Sequence, residues 1–200
     1  LIIKISPAFR MTDLELLPEG WSLEVISHNG KLKQGVLWYG FDRPERITTM
    51  ITDDKVLRFS NDSSESYSNF SESDQKILFL PHAGIRRAQL EEKFTKMYGL
   101  EKVYNIPKLL KGEYQQDLSV WGHWYKEIDS INGSLGDLRK LLNKLSIDQF
   151  DSIFLENVPT NIKQIHTKTK TREGSETVVF FAKSAASKFH MIIAIRKEGR

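Results

Sequence analysis

The sequence predicts an α+β fold: a β-rich N-terminal part, central helices and a C-terminal antiparallel β-meander. Three observations predict it. The first sixty residues break into short apolar or alternating runs separated by turn signals. Residues 134–145 carry a helical apolar stripe behind a capping serine. Thr177-Val178-Val179-Phe180-Phe181 and Met191-Ile192-Ile193-Ala194-Ile195 are apolar on both strand faces, which marks strands covered on both sides.

In order, Leu1–Ser6, Trp21–Ser27, Gln34–Tyr39, Arg46–Thr52 and Lys55–Phe59 read as strands. Asn29-Gly30 suits a tight hairpin, because both residues tolerate positive φ. These elements make 1–59 a β-rich subdomain. Ser60–Gln75 follows, with seven serines in sixteen residues and four acids. It can bury little, so it reads as a solvated loop or linker. Residues 76–200 form the α/β part, and the whole could be one domain.

Lys76–Leu80 reads as a buried strand stopped by Pro81. Gly84–Tyr98 reads as one amphipathic helix on Ile85, Leu90, Phe94 and Met97, ended by Gly99. Ile106–Leu110 suits a short helix with Pro107 in its first turn. Leu118–Ile131 is ambiguous: its aromatics fit a helix face and Gly122 weakens one. Ser134–Leu145 is a helix on Leu135, Leu138, Leu141, Leu142 and Leu145. Phe150–Leu155, Ile162–Arg172, Glu176–Lys183 and Phe189–Arg196 complete a meander, with Glu173-Gly174-Ser175 as a turn.

Two hundred residues without a cysteine exclude disulfides, thiolate chemistry and cysteine-based zinc sites. No apolar run approaches a membrane span, and an intracellular, cytoplasmic or nuclear setting is expected, with no membrane partner. The chain opens on Leu1 rather than Met, which leads us to expect part of a longer protein. No metal-ligand spacing joins His28, His82, His123, His166 or His190 to acids, so neither a metal nor a cofactor is expected. His190 reads as a hydrogen-bonded residue of an apolar strand. Trp121, Trp124 and Tyr125 could stack bases, but core packing explains them better.

The charge is uneven. The chain is +3 overall, yet the last forty residues hold nine Lys/Arg against three acids. His166, Lys168, Lys170 and Arg172 fall on every second residue. Threonines between them favour extension, and in a strand the four cations would stand in one row. Lys183 and Lys188 extend the track. These six residues are the expected nucleic-acid-binding set, gripping phosphates with little sequence choice. The competing explanation is an edge strand whose lysines discourage unwanted pairing. An acidic protein partner in a larger assembly is the alternative ligand, and a phosphodiester- or RNA-modifying enzyme the third reading.

Two partial resemblances support that third reading. His166-Thr167-Lys168 between apolar strands resembles the H-x-K element of phospholipase-D-like phosphodiesterases, which implies a phosphate-handling strand. Arg172-Glu173-Gly174-Ser175-Glu176-Thr177-Val178-Val179-Phe180 is similar to the closing hairpin of Rossmann-type RNA 2′-O-methyltransferases. That resemblance implies Glu176 as the last acid of a Lys-Asp-Lys-Glu set, with Lys126 as one lysine.

Overall fold

A computed structural model describes residues 1–16, 19–40, 44–63, 77–103, 106–184 and 188–197. The Ser60–Gln75 segment lies outside them from residue 64 onward. The fold is mixed α+β, with two sheets and antiparallel strands at the C-terminus. The chain divides into two compact units that interleave in sequence: residues 1–72, 81–101 and 115–123, and residues 73–80, 102–114 and 124–200.

The first unit is built on five strands: β1 (Ile2–Ile5), β2 (Trp21–His28), β3 (Lys31–Tyr39), β4 (Arg46–Ile51) and β5 (Val56–Ser60), in the order β1-β3-β2-β4-β5. A short helix, α1 (Met11–Leu14), lies between β1 and β2. Asn29 and Gly30 turn β2 into β3 with φ of 47° and 77°, the left-handed geometry a two-residue hairpin needs. β2 and β4 run parallel.

Residues 84–98 are two helices, not the one expected: α2 (Ala83–Arg87) and α3 (Glu91–Tyr98). Gln89, at φ 60°, breaks them apart. Gly84 has a steric role in α2. A Cβ there would come 2.6 Å from Thr48 Oγ1 and 3.0 Å from Ser27 Oγ, so only glycine lets the helix lie this close to β2 and β4. Phe94 of α3 is fully buried and meets Phe59 and Tyr98 edge to face or tilted.

The second unit carries the seven-stranded sheet, ordered β10-β11-β12-β9-β6-β8-β7. Its strands are β6 (Ile77–Pro81), β7 (Glu101–Val103), β8 (Ile106–Lys111), β9 (Gly122–Gly133), β10 (Gln149–Glu156), β11 (Arg172–Lys183) and β12 (Phe189–Lys197). The helix expected at Ile106–Leu110 is strand β8. Its Ile106, Leu109 and Leu110 are buried: Leu110 pairs with Phe79 of β6, and Ile106 and Leu109 join a core with Leu78, Val178 and Phe180. The ambiguous Leu118–Ile131 resolves into a 3-10 turn (Gln116–Val120) followed by β9.

Helix α4 (Leu135–Lys144) joins β9 to β10, and α5 (Ile162–Thr169) joins β10 to β11. Leu135, Leu138 and Leu142 of α4 share a core with Ile165 of α5 and with Phe150, Val179, Phe181, Met191 and Ile193 of the sheet. Both helices therefore cover the same sheet face. On the other face Tyr125, Val178, Phe180 and Ile192 pack with Ile106 and Leu109. The sheet curls around that second core, bringing Lys108 Nζ of β8 to 2.6 Å from Glu156 Oε2 of β10 although four strands separate them in order. Among the described residues, no helix is long and apolar enough to cross a membrane.

Candidate nucleic-acid interface

The segment expected as a basic strand is helix α5. Three local forces favour the helix. Asn161 caps it, its Oδ1 accepting from the Gln164 amide at 2.9 Å. Ile165 and Thr169, four apart, are both buried, which is the helical period and not the strand one. The threonines adapt by donating backwards to helix carbonyls: Thr167 Oγ1 to Lys163 O at 2.8 Å and Thr169 Oγ1 to Ile165 O at 2.7 Å.

The expected row of cations is thereby dissolved. Residues two apart on a helix face nearly opposite ways, so His166 and Lys168 do not align, and the H-x-K strand geometry is absent. Lys170 is the left-handed C-cap at φ 59°. Arg172 opens β11 and pairs with Asp148 at 3.3 Å, both side chains exposed. The turn expected at Glu173-Gly174-Ser175 lies within β11, where the register against β10 slips and Gly174 and Ser175 take φ of 129° and 72°.

His166 is spent on the helix end. Its Nδ1 lies 3.0 Å from Thr171 Oγ1, and Thr171 Oγ1 lies 2.8 Å from Thr169 Oγ1. Thr169 gives its only hydroxyl proton to Ile165 O, so it accepts from Thr171. Thr171 in turn has only its lone pairs for His166, which must hold a proton on Nδ1. The imidazole pins the turn between α5 and β11 and does not stand in a row with lysines.

Topology assembles a different surface. β9, β10 and β11 run the same way, because β12 is antiparallel to both β9 and β11, and β10 is parallel to β11. The connecting helices α4 and α5 therefore run parallel to each other, with both C-termini at the end where β10 and β11 begin. Their apolar stripes face the sheet. What remains outward is Lys140 and Lys144 of α4, with Arg139 partly so, Lys163 and Lys168 of α5, and Lys170 at its cap. Six cations on the two helices and this cap face one acid, Asp137.

That acid is already engaged. Asp137 Oδ2 accepts from the Ser134 amide at 3.0 Å and from Ser134 Oγ at 2.8 Å. The backbone bond first, then the hydroxyl, holds its carboxyl below the ordinary range. Lys140 Nζ lies 3.7 Å from it. Lys144 and Lys168 stand in last helical turns, where unpaired carbonyls favour a cation. The helix dipole thus accounts for those two, but not for Arg139, Lys140 or Lys163.

Of the six expected residues, Lys168, Lys170 and Arg172 come to one end of the unit. Lys183 closes β11 and Lys188 precedes β12 at the opposite end, joined by the Ser184 amide donating to Lys188 O at 2.9 Å. At about 3.3 Å per residue, the length of β11 puts roughly 35 Å between Arg172 and Lys183. Sequence reading missed Arg139, Lys140, Lys144 and Lys163. The signal was available in α4, whose polar face is basic.

The lysine and acid suggested by the methyltransferase-like hairpin do not converge. Lys126 aligns with Ile195 and Thr177, so Glu176 falls on the other face of the sheet, that of Tyr125. Tyr125 itself is 3% exposed, and burial pushes its hydroxyl up to about 12. Trp121 and Trp124 are buried as well. Among the described residues, no three His, Asp or Glu side chains cluster to hold a metal ion.

No protein-family model matches the chain, and a search of curated proteins finds no match. The chain is similar in structure to a crystal structure of a "putative methyltransferase" from Porphyromonas gingivalis W83, with a TM-score of 0.72 and 19% identity. The likeness covers 98% of this chain and 51% of that one, so this chain spans about half the length of that protein. At this identity the likeness establishes a shared fold.

Proposed function

We propose that the chain contacts nucleic acid through the outward face of α4 and α5. The observation that carries this reading is the surplus on the solvent-facing parts of these two helices and the α5 cap: six cations against a single, already bonded carboxylate. Parallel helices present these groups as a patch rather than a line. Such a patch suits successive phosphates and reads little sequence. The fold likeness favours a companion reading, in which the chain holds the nucleic acid for a methyl-transfer reaction.

Fluorescence anisotropy with labelled RNA and DNA over a salt series tests the proposal. Each phosphate contact contributes about 0.7–0.9 to the slope of log affinity against log salt. Removing Lys140, Lys144, Lys163 and Lys168 together as alanines should lower the slope by about 3. An unchanged slope refutes the helical face. Incubation of the same RNA with labelled S-adenosylmethionine addresses the companion reading. A chain that only holds substrate transfers no label by itself, whereas label transfer would make it catalytic.

A further inference from the structure

In the first unit a cleft of about 290 Å³ opens beside Arg46. It gathers residues from β4, from the turn after β5, from the α2–α3 break and from α3. Arg46 is half-buried, and among the described residues no carboxylate lies within ion-pair distance of it. Its neighbours are neutral. Nη1 donates to Trp21 O at 3.0 Å, Nε donates to Gln89 Oε1 at 3.3 Å, and the backbone amide donates to Asn61 Oδ1 at 2.9 Å. Burial lowers the pKa of the guanidinium, as desolvation without a counter-charge should.

The donor-only chemistry of Arg46 fixes both amides. A guanidinium N–H and a backbone N–H can only give protons, so Gln89 and Asn61 must turn their oxygens toward Arg46. Their NH₂ groups are left over, and both residues line the cleft. Lys93 and Lys96 line it too. The acid among its lining residues, Glu92, is held by Lys96 at 2.9 Å. The lining thus carries three cations, Arg46, Lys93 and Lys96, and two directed amide donors against one carboxylate, Glu92, whose Oε1 is taken by Lys96. Gln89 reaches this position from a left-handed backbone, φ 60°, that non-glycine residues seldom adopt. Strain of that kind tends to persist where a side chain has a task.

We propose that this cleft binds a phosphoryl group, with Arg46 and Lys93 supplying charge and the Gln89 and Asn61 amides supplying directed N–H donors. A phosphate has acceptor oxygens in excess and matches a wall in which cations and N–H donors outnumber the single carboxylate. The chemistry is shared by a terminal phosphate monoester and by a backbone phosphodiester.

Gln89→Glu is the sharpest test. The new carboxylate still accepts from Arg46 Nε, so folding is supported, but it removes the NH₂ donor and adds a negative charge to the cleft. ³¹P NMR titration with inorganic phosphate and adenosine 5′-monophosphate is run beside anisotropy with a 5′-hydroxyl oligonucleotide. Gln89→Glu should weaken binding by about tenfold or more, with a thermal midpoint that holds or rises. Lys93→Gln should weaken it by about threefold. Loss with the two small probes assigns a monoester site, and loss with the oligonucleotide alone assigns a phosphodiester site. Both variants keep every cation of α4 and α5, so their failure is separable from failure of the helical face. Unchanged affinities in Gln89→Glu, or binding of none of the three probes to the wild-type chain, would overturn the proposal.

Discussion

The segments Ile162–Thr169 and Thr177–Ala182 are both rich in β-branched residues, and only seven residues separate them, yet the first is helix α5 and the second is the buried stretch of β11. The difference lies in what each can bury. In β11 six consecutive residues, from Thr177 to Ala182, are buried, alternating between the core under α4 and α5 and the core inside the curl of the sheet. Only a strand covered on both sides can satisfy such a run. In α5 two residues are buried, Ile165 and Thr169, and four-residue spacing puts both on one face only in a helix. Its lysines do not enter the decision, because exposed side chains are nearly indifferent to either state. Charge periodicity describes a surface, whereas buried periodicity decides a backbone.

The largest effect that would break this contrast is at two threonines. A strand would treat residues 167 and 169 alike, since they share a face. The helix does not: Thr169 is 3% exposed, while Thr167 faces water. Thr169→Lys should destabilise by about 3 kcal/mol or more, as an unpaired charge forced into a core does. Thr167→Lys should stay within about 0.5 kcal/mol. Urea unfolding followed by circular dichroism gives both numbers, and equal losses would return the segment to a strand.

A smaller effect sharpens the start of the helix. Asn161→Ala leaves the Gln164 amide without its acceptor and should cost about 1 kcal/mol. Asn161→Asp, which can still accept from the Gln164 amide, serves as the reference; a loss equal to that of Asn161→Ala would mean the cap does not hold α5.

The smallest effect belongs to the strand side of the comparison. His190 of β12 is half-buried, with Nδ1 2.9 Å from Asn132 Oδ1. Burial lowers its pKa from the ordinary 6.5, against a smaller opposing pull from Glu127. The unfolded chain therefore takes up this proton at higher pH than the folded one. Stability should fall as pH drops below about 6.5 and level off once the folded value is passed. Thermal midpoints across pH 4.5–7.5 for wild type and His190→Gln, about the ordinary His range, should show a shallower acid-side fall in the variant. Parallel curves would remove His190 from the acid response.

Where apolar pattern and capping act locally, the sequence was readable. The serine cap and leucine stripe of α4, the Asn29-Gly30 hairpin and the two-sided apolar strands β11 and β12 all form as their residues dictate. Reading was poor where the deciding partner lies far along the chain. Ile106–Leu110 has helix-compatible residues, but apolar neighbours across the sheet draw it into β8. The single helix expected over Gly84–Tyr98 breaks at Gln89, which carries no breaker signal in its identity. The six residues expected to grip phosphate were grouped by a strand geometry that α5 does not have, and Lys183 and Lys188 were joined to a track whose other end lies the length of β11 away.

Residue pattern alone set the mixed α+β class, the two-sided apolar strands and the capped helix α4, because periodicity and capping are legible over a few residues. Only the tertiary structure decided which charges meet. Two crossovers between like-directed strands turn α4 and α5 the same way and gather their lysines. Packing of α2 and α3 on the first sheet brings Gln89 to Arg46, 43 positions earlier in the chain. No short-range force encodes such meetings, since an exposed cation costs nearly the same free energy wherever the backbone carries it.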